Sequence, residues 1–153
     1  PKIYPMIIGV AVNLKQLFKF QRKYPWPRPA TCPQCYHRGL WGHGFVLAYF
    51  DDLSAGVFLR RFRCPHCGCV IRLRPKGFFR RFQASIATIR FSLARRLAGG
   101  RYLPGISASR QRHWLNGLVR NVAARLGDRW RDRLLEGFEH LMACGFVPVA
   151  SAV

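Results

Sequence analysis

Carboxylates are scarce in this chain. Of its 153 residues only six are acidic, against 26 Lys and Arg, and the formal net charge is +20. The six are Asp51, Asp52, Asp128, Asp132, Glu136 and Glu139, and none falls between Leu53 and Gly127, where sixteen basic residues do. Phosphoryl-transfer nucleases hold Mg²⁺ with several convergent carboxylates. Here Asp51 and Asp52 share one turn, and the other four share one helical stretch, where Asp132, Glu136 and Glu139 read as a solvated face pairing with Arg129 and Arg133. A Gly-rich phosphate loop, G-x-S-x-G and H-E-x-x-H are also missing. The sequence therefore predicts a protein that is not an enzyme and takes no small molecule. Long apolar runs are absent as well. The longest, Met6 to Val12, falls far short of the roughly 20 residues that span a bilayer.

What the chain does have is cysteine in matched pairs. Cys32-Pro-Gln-Cys35 and Cys64-Pro-His-Cys67 share a C-P-x-C spacing, and two such turns bring four thiolates onto one tetrahedral ion. The segment between them, Tyr36 to Arg63, suits one strand–loop–strand hairpin setting the knuckles side by side. The expectation is one structural Zn²⁺ held by Cys32, Cys35, Cys64 and Cys67. Four ligands leave no open position, so the metal should stabilise rather than catalyse. Disulfides would suit a secreted chain, but no stretch has the pattern of a cleavable leader. A thioredoxin-like C-x-x-C belongs in a βαβ context that this region lacks. Cys69 and His66 stand close enough to substitute for a ligand, and are read more simply as neighbours. Cys144 is expected to be a buried thiol.

A charge of this size opposes compaction unless an anion neutralises it. Arg outnumbers Lys heavily, and its planar fork suits phosphate and guanine. Nucleic acid is the expected partner, with duplex DNA favoured. The alternatives are RNA or a single strand within a ribonucleoprotein, an anionic membrane surface, and an acidic protein in a larger assembly. Thiol usage and charge suggest a reducing cytoplasmic, nucleoid-associated setting.

Periodicity organises the rest into an α+β protein, a small antiparallel zinc ribbon followed by a helical, helix-turn-helix-like segment. Residues 1–28 form a basic amphipathic segment with Leu14, Leu17 and Phe18 on one helical face, ended by the stiff run Tyr24-Pro-Trp-Pro-Arg-Pro29. Residues 29–77 form the ribbon, with strands from Phe45, from Val57 to Arg63, and from Val70 to Arg74. Residues 78–143 are helical. Phe82, Ile86, Ile89, Leu93 and Leu97 mark one helix, ended by Gly99-Gly100. A second, capped by Ser107 or Ser109, buries Trp114, Leu115, Leu118, Val119, Val122 and Leu126. A third runs from about Asp128 to Met142, burying Trp130, Leu134, Leu135, Phe138 and Leu141. Residues 144–153 are a bland tail.

Two groups are candidates for nucleic-acid contact. Arg110, Gln111, Arg112 and His113 fall on the first turn of the second helix, with Asn116 and Arg120 looking outward; arginine suits guanine, and Gln or Asn suits adenine. Arg101 to Ile106, broken by Pro104 and Gly105, is too short for a regular supporting helix, so phosphate contact alone is an equal reading. The other group is Arg60, Arg61, Arg63, Arg72, Arg74, Lys76, Arg80 and Arg81 around the second knuckle. They are interleaved with Phe58, Phe62, Phe78 and Phe79, which could stack bases; Phe58 and Phe62 are read as ribbon core.

Together Trp26-Pro-Arg-Pro, Cys32-Pro-Gln-Cys35, Trp41-Gly-His-Gly-Phe45, Arg63-Cys-Pro-His-Cys-Gly68 and Ser109-Arg-Gln-Arg-His-Trp-Leu115 resemble small bacterial transposon-associated proteins. These pair a zinc ribbon with a helix-turn-helix-like segment and are similar to the N-terminal DNA-targeting modules of transposases. The acidic catalytic set of a transposase does not occur in these residues. The resemblance therefore implies a targeting or helper role rather than strand transfer.

Overall fold

A computed structural model describes residues 5–151. It divides into two compact units, Pro1–Ala84 and Ser85–Val153. The first unit is built on a four-stranded sheet in the order β1-β4-β3-β2, with strands β1 Met6–Val10, β2 Trp41–Ala48, β3 Val57–Arg63 and β4 Val70–Pro75. Strands β2, β3 and β4 form the expected antiparallel ribbon. Strand β1 corrects the expectation of a purely antiparallel sheet, because it pairs parallel to β4 from Met6↔Ile71 to Val10↔Pro75. Its apolar run could be read from the sequence; its distant partner could not.

Helix α1, Leu14–Phe20, is capped by Asn13, whose side chain accepts from Gln16 N–H at 3.1 Å. Leu17 is buried with Phe50, Val57 and Leu59, and Leu14 and Phe18 pack against them. The amphipathic segment thus joins the ribbon's own core. Residues 78–84, expected with the helices, also lie in the first unit. Phe78 packs on Phe50 with ring centroids 4.6 Å apart, and Arg74 Nη2 donates to the Phe82 carbonyl at 2.6 Å. Phe82 therefore stands ahead of the helix it was assigned to.

The second unit holds three helices. Helix α2, Ile86–Gly99, starts where the Ser85 hydroxyl accepts from Thr88 N–H, and ends on left-handed Gly100. Helix α3, Ala108–Arg125, is capped by Ser107 as expected. The last predicted helix is broken into a 3-10 turn, Asp128–Trp130, and α4, Leu134–Ala143. Ile89 and Leu93, Leu118 and Val122, and Phe138 and Leu141 are buried on the three helices, while Leu97 and Val119, expected inside, are exposed. The tail is not bland. Asn121 Nδ2 donates to the carbonyls of Pro148 and Ala150 at 2.8 and 2.9 Å, and Val149 is buried. Cys144, expected buried, is exposed.

Candidate metal centre and nucleic-acid interface

The two knuckles repeat one backbone pattern. Cys32 N–H donates to the carbonyl of His37, and Cys64 N–H to that of Cys69, both at 2.9 Å. Tyr36 N–H returns to the Cys32 carbonyl, and Gly68 N–H to that of Cys64, again at 2.9 Å. Closing each turn needs a left-handed residue, Tyr36 at φ 62° and Gly68 at φ 75°. Held this way, the sulfurs of Cys32, Cys35, Cys64 and Cys67 lie within 4.8 Å of one another and could hold one metal ion. Across the knuckles, Cys32 Sγ is 3.6 Å from Cys67 Sγ, and Cys35 Sγ 3.5 Å from Cys64 Sγ. These separations are far beyond a disulfide bond of about 2.05 Å.

Cys69 lies outside the cluster, with its thiol 3.7 Å from the Val70 carbonyl. His66 stacks on His37 with centroids 5.4 Å apart. Three of these thiols are shifted by their surroundings. Burial works against ionising Cys32, yet the N–H groups of Cys35 and Gln34 and the thiols of Cys67 and Cys35 outweigh it and bring its pKa down to about 6. Cys35 is favoured by the N–H of His37, but burial and the three other sulfurs push it up to about 12. Cys67 is also raised: the N–H of Cys69 and the Cys35 thiol favour its thiolate, but burial and the thiols of Cys32 and Cys64 overcome them. A bound cation favours the thiolate form of its ligands, so loading the site displaces protons and acid opposes it.

The basic cluster around the second knuckle is split by the sheet. Side chains alternate along a strand, and Arg61 stands directly opposite Arg72, so Arg61, Arg63, Arg72 and Arg74 share one face. Arg60 falls on the other, with its guanidinium 4.8 Å from the Phe45 ring and 5.3 Å from Phe62. Lys76, Arg80 and Arg81 are exposed after β4. On the shared face, the Nε groups of Arg61, Arg72 and Arg74 are shielded from water and find no acceptor. Burial, then the charges of Arg61 and Arg80, hold Arg72 below the usual arginine range, and burial with Arg72 does the same to Arg74. Arg74 also serves the fold, through Phe82 and through the Phe50 ring 5.5 Å away.

In the second unit Gln111 is a correction. It is fully buried and cannot reach a base edge. Its Oε1 accepts from Ser92 Oγ and Leu103 N–H, both at 2.8 Å, while its Nε2 donates to the carbonyls of Leu103 and Ile106 at 2.9 and 3.0 Å. It ties the connector to both helices. That connector, Gly100 to Ser107, has eight residues, where a helix-turn-helix has a turn of about 3–4. Arg110 lies over the Trp114 ring at 5.4 Å, and Arg112 over Tyr102 at 6.0 Å. His113 Nε2 is 3.0 Å from Ser151 Oγ. Arg112, Asn116 and Arg120 recur every fourth residue of α3, and all three are exposed. Among the carboxylates, Glu139 pairs with Arg90, Glu136 with Arg133 and Asp128 with Arg131.

Arg22, Arg28 and Trp26 were not singled out as site residues by spacing, yet they gather beside Arg60. The signal that could have found them is the density of aromatic and Arg residues in Tyr24-Pro-Trp-Pro-Arg28.

Among the described residues, the fold and site define a mixed α+β protein with a four-stranded sheet, four α-helices and one cluster of four cysteines able to hold a metal ion. Comparison with family models, with curated proteins and with solved structures returns no match to this chain. Among the described residues, no helix is long and apolar enough to cross a membrane.

Proposed function

We propose that this is a zinc-stabilised, non-catalytic DNA-binding protein, a targeting or helper factor of a mobile element or a transcription-type regulator acting at the nucleoid. The observation that carries this reading is the arginine face of β3 and β4. Arg61, Arg72 and Arg74 crowd one another and keep Nε donors without an acceptor, and burial and mutual repulsion hold Arg72 and Arg74 below the usual arginine range. A row of phosphates supplies both the acceptors and the opposing charge. The stripe Arg112, Asn116 and Arg120 on α3 supports a second contact with duplex, since a helix of this kind fits the major groove. Zinc is the ion that suits four thiolates. A Zn–S bond of about 2.3 Å gives tetrahedral edges of about 3.8 Å, close to the 3.5 and 3.6 Å between sulfurs across the knuckles.

The test is fluorescence anisotropy of the zinc-loaded protein with duplex DNA, single-stranded DNA and structured RNA across a salt series. Duplex is expected to bind tightest. The double variant Arg61→Gln/Arg72→Gln is expected to flatten the slope of log affinity against log salt by about 2, roughly one for each phosphate left without its arginine. An unchanged slope would overturn the assignment of this face. Tighter binding of RNA or single strand gives the same face to a ribonucleoprotein. Weak binding to all three, with an acidic protein partner retained after nuclease treatment, makes the chain an assembly subunit.

A further inference from the structure

The opposite face of the same sheet carries a different feature. The connector after α1 folds back beside β2 and β3 and borders an open cleft of about 370 Å³. Its walls are Arg22, Tyr24, Trp26, Arg28, Phe45 and Arg60, and buried Phe62 also lines it. This is the size of a small-molecule site, roughly 300–1,000 Å³. Each guanidinium is set on an aromatic face: Arg22 over Phe58 at 4.4 Å, Arg28 over Phe62 at 5.2 Å, and Arg60 over Phe45 at 4.8 Å. Stacking fixes the plane of an arginine and leaves its edge donors free for an anion. Arg28 spends one of these donors on the Leu40 carbonyl, and among the described residues no carboxylate lines the cleft.

The second observation is Trp26. Its Nε1–H is shielded from water and has no acceptor. Buried donors are nearly always paired, so an unpaired one on a residue that lines a cleft offers a contact to a ligand that parts the wall there. The site thus offers three kinds of contact within one cleft. Flat rings (Tyr24, Trp26, Phe45) suit an aromatic plane, three cations suit a phosphate, and one indole N–H suits a ring carbonyl or nitrogen.

We infer that this cleft takes one unpaired nucleotide, either a free nucleoside 5′-phosphate or an unpaired residue within a strand. Its base lies on the aromatic wall and its phosphate among Arg22, Arg28 and Arg60. Base–aromatic stacking combined with arginine is how single-strand sites hold their bases. The inference goes beyond the duplex reading and does not rest on it, because it uses other residues on the other face of the sheet.

The experiment follows the Trp26 indole N–H by NMR in the zinc-loaded full chain, the peak being the one that disappears in Trp26→Phe. The probes are thymidine 5′-phosphate, thymidine, inorganic phosphate and a five-residue oligothymidylate. The nucleotide and the oligonucleotide are expected to move the peak, and thymidine or phosphate at equal concentration to leave it in place. Trp26→Phe and Phe45→Ala should each weaken nucleotide binding at least fivefold. Phe45→Ala keeps the test valid should Trp26→Phe lose its fold. A shift by phosphate alone as large as that by the nucleotide, or full affinity in a folded variant of either residue, overturns the inference. Oligonucleotide binding ten times tighter than nucleotide binding identifies a strand as the source, and equal binding identifies the free nucleotide. Arg61→Gln/Arg72→Gln should leave the nucleotide response intact, so failure of the duplex reading and failure of this one are told apart.

Discussion

Tyr36 occupies in the first knuckle the place that Gly68 occupies in the second. Both backbones are left-handed, at φ 62° and 75°, a conformation that costs a residue with a Cβ about 1–2 kcal/mol. Glycine avoids that cost but loses more chain entropy on folding. Gly68→Ala should therefore lower the stability of the zinc-loaded protein by about 1 kcal/mol, and Tyr36→Gly should leave it unchanged or raise it by up to about 1 kcal/mol. Thermal unfolding with zinc in excess measures both, and a loss on Tyr36→Gly larger than that on Gly68→Ala would contradict the equivalence of the two turns. The cysteine pattern was legible residue by residue, because ligand spacing is a local property. Gln111 was not. Its place on the first turn of α3 suggested outward display, and nothing local reveals that Leu103, Ile106 and Ser92 all turn toward it.

Among elements, the strands β2, β3 and β4 were readable from period-two alternation and the helices from their three- and four-residue steps. What escaped were pairings made across long stretches of chain. Alternation also holds the reason that one basic cluster becomes two, with Arg60 and Arg61 on opposite faces. Helix α3 shows the same limit from its other side. Gly117 is buried in mid-helix, where an added Cβ would come within 2.5 Å of the Val149 carbonyl oxygen. That neighbour is backbone and cannot swing aside. Gly117→Ala normally gains about 1 kcal/mol of helix propensity; here it should instead cost about 1–2 kcal/mol through overpacking. Denaturant unfolding gives the sign. A stabilised variant would mean that the Pro148–Ala150 segment is not seated on α3.

For the whole molecule, the metal cluster belongs to one unit only. All four cysteines lie in Pro1–Ala84, while the buried leucine, isoleucine and phenylalanine side chains of α2, α3 and α4 lie in Ser85–Val153. The free energy of a structural Zn²⁺ site, about 10–16 kcal/mol, is as large as the stability of an entire small domain, about 5–15 kcal/mol. A strong chelator should therefore melt the first unit and spare the second. Amide NMR signals of β1 to β4 are expected to collapse to unfolded positions while those of α2 to α4 persist, and equal loss or equal survival of both sets would refute this. One further consequence comes from the parallel edge strand. Met6 waits for Ile71, so during synthesis β1 has no partner until 65 later residues have been made, roughly 3–13 s at about 5–20 residues per second. Both knuckles are made in the same interval, the second ending at Cys67. Of the four strands of this sheet, the first to be made is thus the last to be inserted, and for those seconds its apolar edge is open to any other chain that offers a strand.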